Sequence, residues 1–289
     1  MEIQDCAFPL VAGSFAYTEE QPAFTDIEAA FLVGAMPRRQ GMERKDLLKA
    51  NVKIFASQGK ALAQWALPTC KVIVVGNPAN TNALICTKYA TPRIPAENIT
   101  AMTRLDENRA RALLAQRHHK SVDELQQVII WGNHSGTQVV DFTHATHNGQ
   151  PLPVLDDYPA MRKAVRERGA AIIERRKLSS AMSAAKAAAD HMRLFHNGSN
   201  GQVFCMAVYT GNAQSSAASA QNLLLAKQYG ATEDLIFSLP VVVCNQTKQW
   251  KVVPNLKLDA EIVQEIELTK KELVEEREEA LSATSGSNL

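Results

Sequence analysis

The stretch KVIVVG, residues 71–76, is a short apolar run that ends in glycine, and AAFLVG at 29–34 repeats its character. Runs this short and this apolar have the look of strands buried on both faces, as in a parallel sheet. Helical patterns at 42–66 and 80–90 follow them, so the order is βαβα. Right-handed crossovers turn that order into a parallel sheet with helices on its faces, and ligands in such sheets sit at the carboxyl ends of the strands. The residues after Gly34 and Gly76 therefore lie at a ligand edge.

Working outward, the turn-rich segment TPRIPAEN at 91–98 leads into a helix over about 105–119 and marks a domain boundary, dividing the chain into 1–100 and 101–289. The second part changes character. It offers a strand at 128–132, a polar hairpin region with an Asn-Gly turn, one long helical pattern from 158 to 194, and strands at 202–209, 237–243 and 249–253. A charged helix, LDAEIVQEIELTKKELVEEREEAL, follows at 258–281. The segment 211–230, rich in Ala, Ser and Gln, reads as a loop or a short helix without chemistry of its own.

Composition narrows the function. With 46% hydrophobic and 21% charged residues the chain has enough apolar surface for a large core and is not a disordered polymer. A net charge of +1, with no strongly basic half, gives no electrostatic footprint for nucleic acid. Five cysteines without CxxC spacing argue against a disulfide framework or a zinc site and suit a reducing compartment. No apolar run approaches the ~18 residues of a membrane span, and the acidic N-terminal stretch does not resemble a signal peptide. A cytoplasmic location is expected; the final SNL is close to a peroxisomal SKL address but lacks its basic residue.

Four segments can carry chemistry. GAMPRRQGMERK at 34–45 concentrates Arg38, Arg39 and Arg44 at the ligand edge, where guanidinium groups can clamp carboxylates in pairs of parallel hydrogen bonds. IIWGNHSGTQ at 129–138 sets His134 in a Gly-flanked bend after a strand; a lone histidine there is more often structural than catalytic. TRLDENRA at 103–110 puts Asp106 and Arg109 on one face of a helix start, which also suits a helix-start acid and a solvated arginine. VVGNPANTNAL at 74–84 offers Asn77 to either cofactor or substrate, or as part of an ordinary β-to-α turn. Together, a carboxylate that orients a His, a His that takes a hydroxyl proton and arginines that hold carboxylates suit oxidation of a 2-hydroxy acid, with a cofactor accepting the hydride.

These blocks, together with RRKLSSAMSAAKAAADH at 175–191, occur in the order and spacing of the cytosolic-type malate dehydrogenases of the lactate/malate dehydrogenase superfamily, and the chain resembles that family from Met1 to about Leu281. The resemblance implies an α/β chain: a Rossmann-type parallel sheet followed by an α+β substrate domain. It implies His134 as catalytic base with Asp106 holding its imidazole. Arg109 would clamp the carboxylate beside the reacting carbon, Arg38 the distal carboxylate, and Arg44 would polarise the carbonyl. Asn77 would touch substrate and nicotinamide ribose, while Asn51, Gln58, Val75 and Gly76 would contact NAD. Malate or oxaloacetate would be the substrate and a homodimer the assembly.

One departure stands out. The family's glycine-rich turn, GxGxxG or GxxGxxG after an N-terminal strand, does not occur in this sequence. Met1 aligns within the family's first domain, about fifty residues in, a βαβ unit of ~30 plus the stretch beyond. The expectation is a partial Rossmann-type sheet, first strands missing, whose remaining strands expose an apolar edge. A shortened chain would bind NAD weakly or survive as an inactive dimerising partner; another 2-hydroxy acid dehydrogenase is the enzyme alternative, against which Arg38 argues. The 211–230 segment is longer than the family's turn there.

Overall fold

The structure, a computed structural model, describes residues 1–36, 44–211 and 217–285. Two short helices, α1 (Glu2–Asp5) and α2 (Glu20–Phe24), flank an exposed N-terminal stretch. Then come β1 (Ala29–Leu32), α3 (Arg44–Trp65), β2 (Lys71–Val74), α4 (Ala79–Ala90) and β3 (Ile99–Ala101). The βαβα order holds, and β1, β2 and β3 pair in parallel. All four residues of β2 are buried, because β2 has a strand on either side and helices over its faces. Val52, Phe55 and Leu62 of α3 pack into that core, each full burial contributing roughly 1.5–3 kcal/mol.

After β3 come α5 (Arg104–His118), the short strands β4 (Leu125–Gln126), β5 (Ile129–Trp131), β6 (Val139–Asp141), β7 (Thr146–His147) and β8 (Gln150–Pro151), and α6 (Tyr158–Arg176). The chain continues through α7 (Met182–Asn197), β9 (Phe204–Tyr209), α8 (Ala217–Gln228), β10 (Ile236–Val243), β11 (Trp250–Val252) and α9 (Ala260–Ser285). The Asn-Gly turn joins β7 to β8, with φ of 49° at Asn148 and 78° at Gly149, as a tight hairpin requires. Segment 211–230 contains α8, and its residues 212–216 fall outside the described residues.

Two expectations are corrected. The single helical pattern over 158–194 is two helices: Lys177 takes φ 61° at the end of α6, and KLSSA forms a break before α7. The sheet is mixed rather than parallel throughout. Its order is β1-β2-β3-β9-β10-β11, with β9 antiparallel to β3, so strands from either side of residue 100 share one sheet. At the far end β1 pairs with β2 alone among the described residues, leaving Phe31 and Val33 45% and 63% exposed. The apolar edge expected from the sequence is present.

A second core lies under β5, β6 and β10, where Trp131 packs against Tyr229 in a tilted arrangement with ring centroids 5.0 Å apart and donates from Nε1 to Asp141 Oδ2 at 3.2 Å. This core fixes the strand that leads to His134.

Candidate active site

A cavity of about 920 Å³ opens at the carboxyl ends of β1 and β2, where sheets of this kind place their ligands. Val33, Met36, Val75, Gly76 and Asn77 line one side, and Arg109, His134 and Ser180 the other. Gly76 is needed because the strand ends nearly touch: a Cβ there would sit 2.8 Å from Ala35 Cβ and 3.1 Å from Val33 O.

His134 leaves β5 through Gly132, whose φ of 84° favours glycine and which packs so closely against Thr269 that a Cβ would lie 2.1 Å from its Cγ2. The His134 ring sits with Nδ1 2.5 Å from Asp106 Oδ2, while its backbone N–H donates to Asn80 Oδ1 at 3.0 Å. Asn80 is in turn locked, its amide donating to Gly132 O and Ile236 O. A carboxylate only accepts, so Nδ1 carries the proton toward Asp106 and Nε2 is left for exchange with a ligand.

Asp106 is fully buried at the start of α5, and its second oxygen lies 3.5 Å from Arg109 Nη1. Arg109 spends Nη2 on Ser180 Oγ at 3.1 Å, from the break between α6 and α7. Desolvation alone would lower the His134 pKa, but the charge of Asp106 and its hydrogen bond outweigh it and raise the value, with Arg109 opposing weakly. Burial pulls the Arg109 pKa down, Asp106 partly restoring it, yet a guanidinium remains charged at any working pH.

The other anticipated residues divide. Val75, Gly76 and Asn77 line the cavity beside Arg109 and His134, with Asp106 directly behind them. Asn51 is fully buried and occupied by the chain itself, accepting from Met36 N–H at 2.8 Å and donating to Met36 O and Leu47 O. It pins the chain end that enters the arginine segment. Gln58 lies two turns further along α3, and its Oε1 is buried without a partner among the described residues. Arg38 and Arg39 lie outside the described residues; Arg44 begins α3, and its side chain is not described.

Sequence reasoning assigned nothing to Asn80 or Ser180, although both fall in the quoted blocks. An Asn three residues after Asn77 and a Ser in a helical-looking run carry no signal until the fold brings them to His134 and Arg109.

NAD, as the group the sequence implies, fits one end of this site. The cavity at the strand ends, with Gly76 and Asn77 at its lip, suits the nicotinamide end, whereas Gln58 Oε1 is buried away from the cavity lining. For the pyrophosphate, the sequence contains no glycine-rich turn.

Comparison with known proteins agrees with this geometry. Residues 1–100 match the NAD binding domain of lactate/malate dehydrogenase, and 103–284 its alpha/beta C-terminal domain. The chain is 51% identical to the cytoplasmic malate dehydrogenase of Caenorhabditis elegans, covering 100% of this chain and 84% of that protein. It is 46% identical to that of Homo sapiens, covering 99% and 83%. The malate dehydrogenase structure of Naegleria fowleri superposes with a TM-score of 0.85 at 38% identity, covering 98% of this chain and 82% of that one. Trichomonas vaginalis lactate dehydrogenase in complex with NADH and oxamate superposes with a TM-score of 0.86 at 33% identity, covering 99% and 85%. The buried Asp106–His134 pair, the arginine beside it and both domain matches lead to one conclusion: the chain belongs to the lactate/malate dehydrogenase family.

Proposed function

We propose that the chain is an NAD-dependent malate dehydrogenase, interconverting (S)-malate and oxaloacetate. The observation that carries this reading is the fixed Asp106–His134 pair facing a cavity into which Arg109 also projects. In oxidation, His134 Nε2 takes the malate hydroxyl proton, and Asp106 stabilises the imidazolium that forms. Arg109 holds the carboxylate beside the reacting carbon. Bound NAD supplies the hydride acceptor, a chemistry no side chain provides. In reduction, His134 enters protonated and returns its proton to the oxygen.

Arg38 selects the dicarboxylate and Arg44 polarises the carbonyl, roles supported by their place in the GAMPRRQGMERK block. Asn77, Val75 and Gly76 serve the cofactor from the cavity wall, Asn51 serves it through the Met36 loop, and Gln58 belongs to the same reading by its place in the sequence alone. The domain division at residue 100, a homodimeric state and a cytoplasmic location belong to the same reading, the last supported by the names of the relatives. Sedimentation of the purified chain tests the dimer.

Titrating the purified chain with NADH by fluorescence and then following oxaloacetate reduction tests the function. Saturable binding and turnover are expected. An absence of both would leave the chain a binding remnant, the alternative that the missing glycine turn favours.

A further inference from the structure

Behind His134, one face of α9 is built to hold it. Thr269, Glu272 and Glu276 lie at i, i+3 and i+7, on a single side of the helix. Thr269 Oγ1 accepts from Asn133 N–H at 3.0 Å. Glu272 Oε2 accepts from Asn133 Nδ2 at 2.9 Å, Ser135 Oγ at 2.5 Å and Thr137 Oγ1 at 2.6 Å. Glu276 accepts from Thr81, the neighbour of the Asn80 that holds the His134 backbone. The side chains on both flanks of His134, more than 130 residues away in sequence, thus converge on one carboxylate oxygen.

We propose that Glu272 is a positioning residue for His134, clamping the 133–137 bend so that the imidazole keeps its line to Asp106. The inference deepens the malate dehydrogenase reading and rests on it. Three hydrogen bonds that meet at one side-chain oxygen fix the bend by geometry, and an amide oxygen in the same place can accept them as well. A catalytic group displaced by about 1 Å can lose ~100-fold in rate. Glu272 does not line the cavity, so the loss falls on kcat rather than KM.

The test compares the parent chain with Glu272→Ala and Glu272→Gln, each first checked for folding by circular dichroism. With oxaloacetate and NADH, E272A is expected to lose about 10- to 100-fold in kcat with KM changed by less than about 3-fold. E272Q, which keeps the reach and one acceptor oxygen, recovers most of that loss. Independently of turnover, the His134 ring is titrated by NMR with labelled histidine, its signal assigned by absence in His134→Gln. Among the described residues, the charged groups that act on this ring are Asp106 and Arg109. Its midpoint is expected to fall toward the ordinary value in E272A and to stay near the parent value in E272Q. Unchanged kcat and midpoint in E272A would overturn the proposal. So would equal effects of E272A and E272Q, which would make Glu272 a distant charge rather than a clamp. If the parent shows no turnover, the proposed function fails, while the titration still decides the role of Glu272.

Discussion

The two sides of the cavity are built to different standards. On the His134 side, each residue of the proposed catalytic set is held by another: Asp106 holds the ring, Asn80 the backbone, Ser180 holds Arg109, and α9 grips the bend. On the β1 side, the sheet ends in a strand paired once among the described residues, with Phe31 and Val33 exposed. The first arrangement is preorganised for chemistry, because its groups need not reorient when charge develops. The second presents open backbone and apolar surface to solvent or to another chain.

Substitutions on either side sharpen that contrast. His134→Gln removes the proton carrier and is expected to lower kcat about 10²- to 10⁴-fold with KM for oxaloacetate little changed, read by steady-state kinetics. Arg109→Gln removes a guanidinium shared by Asp106 and Ser180. Its kcat/KM should fall by about 100-fold or more, as expected when one partner of a buried hydrogen-bonded charge pair is truncated. Exchanging Arg38 for leucine should move preference from oxaloacetate toward monocarboxylic 2-oxo acids; an unchanged substrate ratio would remove Arg38 from specificity.

At the junction of the two sides, Gly76→Ala forces a Cβ against Ala35 and Val33. A stability loss of about 1–3 kcal/mol is expected, measured by urea denaturation. On the open side, Phe31→Lys should change stability by no more than about 0.5 kcal/mol, since the ring is 45% exposed, while reducing self-association in light scattering. If F31K proved as damaging as G76A, the β1 edge would be a built part of the core rather than an open one.

The sequence carried much of this because the pieces rest on local pattern. The apolar runs at 29–34 and 71–76 announce β1 and β2, and the Asn-Gly pair announces the β7–β8 turn. Asp106 and Arg109 were legible as neighbours on α5 because i and i+3 share a face. Other features depend on long-range packing. The break at KLSSA has no Gly or Pro to mark it, and Lys177 adopts its left-handed conformation with no glycine to ease it. Glu272 is one of many acids in a charged helix, indistinguishable from its solvated neighbours until α9 docks behind Asn133. The antiparallel join of β9 to β3 is likewise invisible locally, since strand direction within a sheet is set by the path of the intervening chain.

The proposed role of His134 as proton carrier, with Asp106 stabilising its imidazolium, is decided by the pH profile of kcat/KM for malate oxidation in the parent chain and in Asp106→Asn. Oxidation needs neutral His134, so the rate should rise as pH increases through its midpoint, while oxaloacetate reduction, which needs the imidazolium, should fall through the same region. Asp106 raises that midpoint in the parent. Removing its charge should therefore move the rising limb for malate oxidation to lower pH, together with a loss of rate. The same midpoint in both proteins would contradict the pairing.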